Sequence, residues 1–245
     1  MCLAPIWTEK HETARRLAQR IKVVLDVARS KGFRTGENPV TAIKEAYVLP
    51  KVKARPKHHK AMRWQDVPAF YAGLRARPAM AAKALMFTCL SGSRTGEVLG
   101  MRWEEIDFDN RLWVCPAERM KTGGEHRVPL TEEMLSIIAP LEAMRSDYVF
   151  EGQKRHRPLS NMSMLMLMRR MNAEGLTVHG FRSTFRDWAA EVANVPREVA
   201  EKSLAHAVGN DVERAYARSD LLEKRRALMR DWSQYVASGT IAESE

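Results

Sequence analysis

The 245-residue chain is 45% hydrophobic with a formal net charge of +10, enough apolar material for one large core or two small ones. We expect neither a membrane helix nor a secretory signal, because no apolar run reaches the roughly 18 residues that a span needs and the start lacks a basic segment before an apolar one. Cys2, Cys89 and Cys115 are far apart, which excludes a disulfide framework and favours a reducing cytoplasm.

The positive charge is concentrated near the start of the chain. Residues 1–60 hold 14 of the 40 Lys and Arg residues but only 5 of the 30 Asp and Glu residues, so the remainder is almost neutral. Such asymmetry is typical of proteins that bind nucleic acid. A soluble protein with one basic helix is the alternative.

Two helices are predicted before residue 48. The first runs from about residue 8 to 31, and Gly32 is a plausible stop. A short one near 41–47 follows a turn at Glu37-Asn38-Pro39. The apolar stripe of the first helix is Ala14, Leu17, Ile21, Leu25 and Ala28.

A basic linker is predicted over residues 49–60. It contains two prolines, which disfavour helix, and no acidic residue. Such a strap suits a path along the DNA backbone, where contacts depend on salt and read no sequence. The alternative is a solvated flexible linker, and the His58–His59 pair has no cysteine or carboxylate nearby to make a metal site. The candidate DNA-binding residues are Lys51, Lys53, Arg55, Lys57 and Lys60.

The rest of the chain predicts a mainly α-helical domain with a small antiparallel β-sheet. Helices are expected over about 66–75, with Asp66 as its cap, over 80–90 and from Arg94 onward. Strands are expected over 106–115, at Lys121 and over 127–130, with turns at 109–110 and 122–124. Further helices are expected over about 131–144, 160–171, 179–193, 196–204, 209–218 and 221–236. The helix over 160–171 is rich in methionine, which favours core packing, with a flexible partner surface as the alternative.

Six polar side chains stand out because of their order and local context. Taken singly, an Arg-x-x-Glu pair is usually a solvated helix pair, and a lysine in a Gly-rich turn is usually exposed. The contexts are Ser-Gly-Ser-Arg-Thr-Gly-Glu, Met-Lys-Thr-Gly-Gly, His-Gly-Phe-Arg, Leu-Ala-His and Arg-Ala-Tyr-Ala-Arg. The residues are Arg94, Lys121, His179, Arg182, His206 and Tyr216.

Together these motifs resemble the tyrosine recombinase, or phage integrase, family, in the branch of satellite phages and prophage islands. The resemblance covers about residues 8–236. It implies a catalytic domain over 61–245 that includes a C-terminal helix at 221–236, preceded by the basic linker at 49–60. Residues 1–48 resemble the last part of the helical, SAM-like core-binding domain. The helices that precede it in the family are missing, so we expect an N-terminally truncated chain.

The resemblance implies that Arg94 and Arg182 clamp the phosphate of a DNA strand, as charged planar forks that bind two oxygens each. It implies that His206 hydrogen-bonds a non-bridging oxygen. Glu97 is expected to support the site by holding the first arginine or a histidine. No metal and no other cofactor is expected.

The resemblance also implies that Tyr216 is the nucleophile and forms a covalent 3′-phosphotyrosine with DNA. A free phenol has a pKa of about 10, so it needs a base or nearby cations. His179 is the expected general base, and Lys121, reaching the minor groove from a hairpin, is the expected proton donor to the leaving 5′-oxygen.

The implied partners are double-stranded attachment-site DNA, other integrase protomers in a tetramer on DNA, and an excisionase or a host DNA-bending protein, without a membrane. The C-terminal helix is expected to dock on a neighbouring protomer in the DNA-bound assembly. In the isolated chain it is expected to fold back on its own domain or to be mobile. The alternatives are a truncated, catalytically incompetent DNA-binding fragment, a metal-dependent nuclease and a topoisomerase that uses the same residues.

Overall fold

The computed structural model describes residues 3–45, 50, 52, 60–144, 146–209 and 219–240. Contacts between Cα atoms divide the chain into two compact units, Met1–His58 and His59–Glu245. Each unit packs around a hydrophobic cluster of its own.

The first unit contains a small helical core. Its helices are α1 (Ala4–Trp7), α2 (His11–Ser30) and α3 (Pro39–Glu45), of which α1 was not predicted. Trp7 of α1 joins Ala14 and Ala18 of α2 in the buried cluster. Of the predicted stripe, Ala14 is buried and Ile21 packs against the cluster, but Leu17 is 38% exposed and was wrongly included. Ala18, four residues after Ala14, is buried instead.

The second unit contains most of the helices. One of them, over Met80–Ser91, is buried on nearly every side and contacts six of the other helices, as expected for a helix that is apolar all round. The helices are α4 (Val67–Arg75), α5 (Met80–Ser91), α6 (Thr95–Leu99), α7 (Glu132–Ile138), α8 (Ser163–Arg170), α9 (Gly180–Glu191), α10 (Arg197–Ser203) and α11 (Leu222–Ser238).

A three-stranded antiparallel sheet lies beside these helices in the order β1-β2-β3. The strands are β1 (Ile106–Asp107), β2 (Leu112–Cys115) and β3 (His126–Pro129), with Cys115 opposite His126. The predicted mainly α fold with a small antiparallel sheet is thus confirmed. The prediction that Lys121 is a strand residue is wrong: it lies in a turn within the long β2–β3 connection, after a 3-10 turn at Ala117–Arg119.

Three predicted details of the helices need correction. Asp66 precedes α4 but makes no capping bond, because its carboxylate instead accepts from Arg63 at 2.8 and 2.9 Å. The helix predicted over 131–144 is α-helical only to Ile138, since Pro140 lacks an N–H and a 3-10 turn follows. In α8, Met164 and Met168 are in the core, whereas Met162 and Met166 are more than 40% exposed.

Helix α11 completes the core of its own domain. Trp232 is fully buried, and its Nε1 donates to the carbonyl of Cys89 in α5 at 2.9 Å. Its ring packs against those of Phe185, Trp188 and Tyr235. Of the two expectations for the isolated chain, docking on its own domain is therefore the one that the structure shows.

We expect Trp232→Ala to lower the free energy of unfolding by about 3–5 kcal/mol, because it removes a buried indole and leaves a cavity. Urea unfolding would measure the loss, with the exposed Gln234→Ala in the same helix as the control. The midpoint should not depend on protein concentration, because the helix packs in cis. A loss below about 1 kcal/mol, or a midpoint that rises with concentration, would contradict this packing.

Candidate active site

Arg94 is positioned by the turn between α5 and α6. Gly92 ends α5 with φ +61, and a Cβ there would lie 2.9 Å from a methyl carbon of Leu204, so the turn requires glycine in both conformation and space. Arg94 is the N-cap of α6, and its N–H donates to Glu97 at 2.9 Å. Its Nη1 binds the other oxygen of Glu97 at 2.7 Å, so the contact of Glu97 is with Arg94, one of its two expected partners.

Arg182 projects from α9 into the protein and is only 4% exposed. Its Nη1 donates to the carbonyl of Gly92 at 2.6 Å and its Nη2 to that of Leu204 at 2.5 Å. Burial, and then the positive charge of Arg94, lower the pKa of Arg182 to about 10. The guanidinium therefore remains charged at neutral pH.

The two arginines meet at the end of α10. Arg94 Nη2 lies 3.4 Å from the carbonyl oxygen of Ala205, and Arg182 Nη2 binds the preceding carbonyl, that of Leu204. Arg182 Nη2 is also 2.8 Å from Nε2 of His206. The structure thus brings two guanidiniums and one imidazole to the same turn, which is an arrangement suited to an anion.

His179 and Lys121 lie on more exposed parts of the domain. His179 is the exposed N-cap residue of α9. A Cβ at the next residue, Gly180, would lie 2.6 Å from the carbonyl oxygen of Lys60, so the chain packs closely there. Lys121 is exposed in the hairpin connection, and its neighbour Thr122 lines a cleft of about 660 Å³ together with His206.

Tyr216 lies outside the described residues, as do the linker residues Lys51, Lys53, Arg55 and Lys57. Of the predicted DNA-binding residues, Lys60 is described: it is exposed, and its carbonyl accepts from the N–H of Thr177 at 3.2 Å. Ala207 and Ser219, on either side of the segment that contains Tyr216, both line the cleft with His206. The chain on both sides of this segment is thus held at the cleft.

An ion cluster fixes the second of these flanks to the sheet. Asp220 accepts from Arg127 of β3 at 3.0 Å, and Arg225 Nη1 is 3.6 Å away. Arg225 is 2% exposed and also donates to the carbonyl of Arg127. In addition, Lys202 Nζ donates to the carbonyl of Ser219 at 2.5 Å.

Sequence reasoning missed two residues beside this cleft. Glu201 is 8% exposed and lies 2.6 Å from Nδ1 of His206, although its place in a short helix gives no signal of this contact. His126 begins β3 and is also 8% exposed. Burial, and then the charge of Arg225, lower its pKa to about 3.

We expect His126 to weaken the protein in acid. The unfolded chain takes up a proton on this histidine near pH 6.5, whereas the folded chain does so only near its pKa of about 3. Above about pH 6.5 this histidine therefore does not lower the free energy of unfolding. As the pH is lowered from 6.5 towards 3, it lowers the free energy of unfolding by about 1.4 kcal/mol per pH unit. Urea unfolding at several pH values should show a shallower decline for His126→Gln than for the exposed control His156→Gln. Equal declines in the two variants would contradict the buried neutral imidazole.

Among the described residues, no group of three His, Cys, Asp or Glu side chains is arranged to hold a metal ion. No helix within the described ranges has the length and apolar character needed to cross a membrane. Cys89 and Cys115 are buried free thiols.

The sequence profile of the Phage integrase family matches residues 60–223. Prophage integrase IntA of Escherichia coli (strain K12) is 33% identical to this chain over 231 residues, which cover 92% of this chain and 54% of that protein. The integrase of Enterobacteria phage P4 is 29% identical to this chain over 248 residues, which cover 93% of this chain and 55% of the phage protein. The chain thus spans about half the length of these curated relatives.

Solved structures share the fold. A lambda integrase (residues 75–356) dimer bound to a COC′ core site has a TM-score of 0.58 at 18% identity, covering 87% of this chain and 74% of that one. A lambda integrase tetramer bound to a Holliday junction also has a TM-score of 0.58 at 18% identity, covering 83% of this chain and 61% of that one. Because the family profile matches more than half of the sequence and a relative above 30% identity spans nearly all of it, the chain belongs to the phage integrase family.

Proposed function

We propose that this protein is a tyrosine-type site-specific DNA recombinase that cleaves and rejoins DNA through a covalent 3′-phosphotyrosine. The observation that carries the proposal is the meeting of Arg94, Arg182 and His206 at the end of α10. The family and its named integrase relatives support the same reaction.

The two arginines would bind the non-bridging oxygens of the scissile phosphate. Attack on phosphorus increases the negative charge on these oxygens, so fixed cations stabilise the transition state more than the ground state. Glu97 would orient Arg94, to which it is bonded at two points. His206 would donate a hydrogen bond to one of the oxygens.

Tyr216 would supply the nucleophile. Its phenolic oxygen attacks the phosphorus, the bond from phosphorus to the 5′-oxygen breaks, and the 3′-phosphate becomes attached to the tyrosine. His179 takes the phenolic proton, and Lys121 gives a proton to the departing 5′-oxygen. Rejoining reverses these steps and needs no nucleotide, because the phosphotyrosine ester retains the energy of the broken bond.

Double-stranded attachment-site DNA and further protomers are the proposed partners, in a cytoplasmic protein. The lambda integrase dimer and tetramer bound to DNA support this assembly. An excisionase or a host DNA-bending protein is a further proposed partner. Residues 61–245 would form the catalytic domain, residues 1–48 the end of a core-binding domain, and the lysines and arginine of 49–60 would follow the DNA backbone.

A trapping experiment tests this function without knowledge of the attachment site. The chain is incubated, with and without EDTA, with a pool of duplexes that carry a nick beside a randomised core. Cleavage then releases a short strand that diffuses away, so the covalent adduct persists on a denaturing gel. We expect an adduct with and without EDTA, and sequencing of the trapped strands would give the preferred site.

Other outcomes would replace the proposal with a different function. Retention of DNA with no adduct from any member of the pool would indicate a DNA-binding fragment without turnover. Cleavage that EDTA abolishes, leaving free 5′-phosphate ends, would indicate a metal-dependent nuclease. Adduct formation with supercoil relaxation but no strand exchange would indicate a topoisomerase.

A further inference from the structure

We propose that Glu201 is a positioning residue that fixes the tautomer and the ring orientation of His206, and so controls the hydrogen bond that His206 offers to the scissile phosphate. The catalytic part of this inference rests on the proposed function. The part that concerns the tautomer depends only on the contacts of the folded chain.

The contacts of the imidazole define its tautomer. Nδ1 of His206 lies 2.6 Å from Oε2 of Glu201, and Nε2 lies 2.8 Å from Nη2 of Arg182. An ionised carboxylate only accepts hydrogen bonds, and a guanidinium only donates them. The neutral ring must therefore carry its proton on Nδ1 and accept at Nε2.

The carboxylate is held firmly in its ionised form. Its second oxygen, Oε1, accepts from Arg186 of α9 at 2.9 Å and lies 3.5 Å from Nε of Arg197. Burial raises the pKa of Glu201, but the hydrogen bond from His206, the charge of Arg186 and the hydrogen bond from Arg197 outweigh it and hold that pKa below its usual value. The helix end is fixed as well, because the N–H of His206 donates to the carbonyl of Glu201 at 2.9 Å.

This arrangement lets Nε2 change its role while the ring stays in place. When Arg182 turns to a phosphate, Nε2 loses its donor and can bind a phosphate oxygen only if it gains a proton. In that doubly protonated ring, Nδ1 still donates to the same carboxylate. Glu201 therefore keeps Nε2 directed at the anion in both the neutral and the doubly protonated ring. Carboxylates that accept from the second ring nitrogen of a functional histidine orient it in the same way.

A glutamine at position 201 cannot accept hydrogen bonds both from His206 and from the two neighbouring arginines. One carboxylate oxygen faces Nδ1 of His206, and the other faces the guanidinium groups of Arg186 and Arg197. The amide oxygen should turn to the two cations, because hydrogen bonds from charged donors are stronger. Its NH₂ group then faces Nδ1, which forces the proton of the ring to Nε2, opposite the donor of Arg182.

The tautomer can be measured directly in the DNA-free chain. Two-bond ¹H–¹⁵N spectra of ¹⁵N-histidine-labelled protein, assigned by the signal that His206→Ala removes, distinguish the two forms. We expect the Nδ1–H form in the wild type and in Glu198→Gln, an exposed substitution in the same helix. We expect the Nε2–H form in Glu201→Gln. A wild-type ring protonated at Nε2, or an unchanged spectrum in Glu201→Gln, would overturn the proposal.

The catalytic consequence is measured as the single-turnover rate of adduct formation on a duplex selected from the pool. We expect Glu201→Gln to lower the rate by about 10–100-fold at unchanged DNA affinity. This range is typical of substitutions at residues that hold a functional histidine in place. In a His206→Ala background the same substitution should have no further effect, because Glu201 acts through that ring. Unchanged cleavage in Glu201→Gln, or an equal loss in both backgrounds, would overturn the proposal, whereas a wild type without any adduct would instead remove the proposed function.

Discussion

Tyr216→Phe is expected to abolish the covalent adduct while leaving DNA affinity nearly unchanged. The substitution removes one oxygen atom, which is the proposed nucleophile, and a phenyl ring has no other group that can attack phosphorus. The cleft that Ala207 and Ser219 line on either side of this segment contains several cations, among them Lys202 and Arg225. Nearby cations favour a phenolate over a phenol. The measurement is the denaturing gel, with DNA affinity determined in parallel.

The matched control is Tyr148→Phe. The hydroxyl of Tyr148 accepts from Arg102 at 3.3 Å, in a pair outside the cleft. This variant should form the adduct at the wild-type rate. An adduct that persists in Tyr216→Phe would show that another residue is the nucleophile.

Arg182→Lys is expected to reduce the single-turnover rate of cleavage by about 10²–10³-fold, as the loss of one oriented donor at a developing oxyanion does. The lysine keeps the charge but loses the fork that reaches two carbonyls and the phosphate together. Most of the loss should fall on the chemical step, because the transition state carries more charge on the phosphate oxygens than the substrate does.

The control for this variant is Arg169→Lys, at an exposed position of α8. It should cleave DNA at the wild-type rate. A small drop in stability is also expected for Arg182→Lys, of about 1–3 kcal/mol, because the buried carbonyls of Gly92 and Leu204 lose charged donors. Wild-type cleavage by Arg182→Lys would show that this guanidinium is not part of the clamp.

The sequence predicted the mainly α architecture because apolar periodicity and turn residues dominate local structure. It was less accurate where another contact, local or tertiary, competes with a simple rule. Arg63 takes the carboxylate of Asp66 away from its helix end, and the buried side of α2 passes through Ala18 rather than Leu17. In the first case two local contacts compete for one carboxylate, and in the second the buried side is set by packing against other helices.

The sequence predicted which residue types form the candidate site, but not the hydrogen bonds and ion pairs that join them to their neighbours. The motifs around Arg94, Arg182 and His206 identified the three side chains that the structure brings together. Glu201 and His126 gave no signal, because a glutamate in a short helix and a histidine in a strand are ordinary residues until folding buries them. Their burial, and the ion pair of Glu201 with Arg186 of α9, arise from packing between elements, which one sequence does not display.

The most direct test of the account is to locate the covalent bond. The adduct from the trapping experiment is digested with trypsin and nuclease, and the DNA-linked peptide is sequenced by mass spectrometry. We predict a nucleotide joined through its 3′-phosphate to Tyr216. A 5′-phosphate linkage, attachment to any other residue, or strand cleavage without a protein–DNA bond would contradict it.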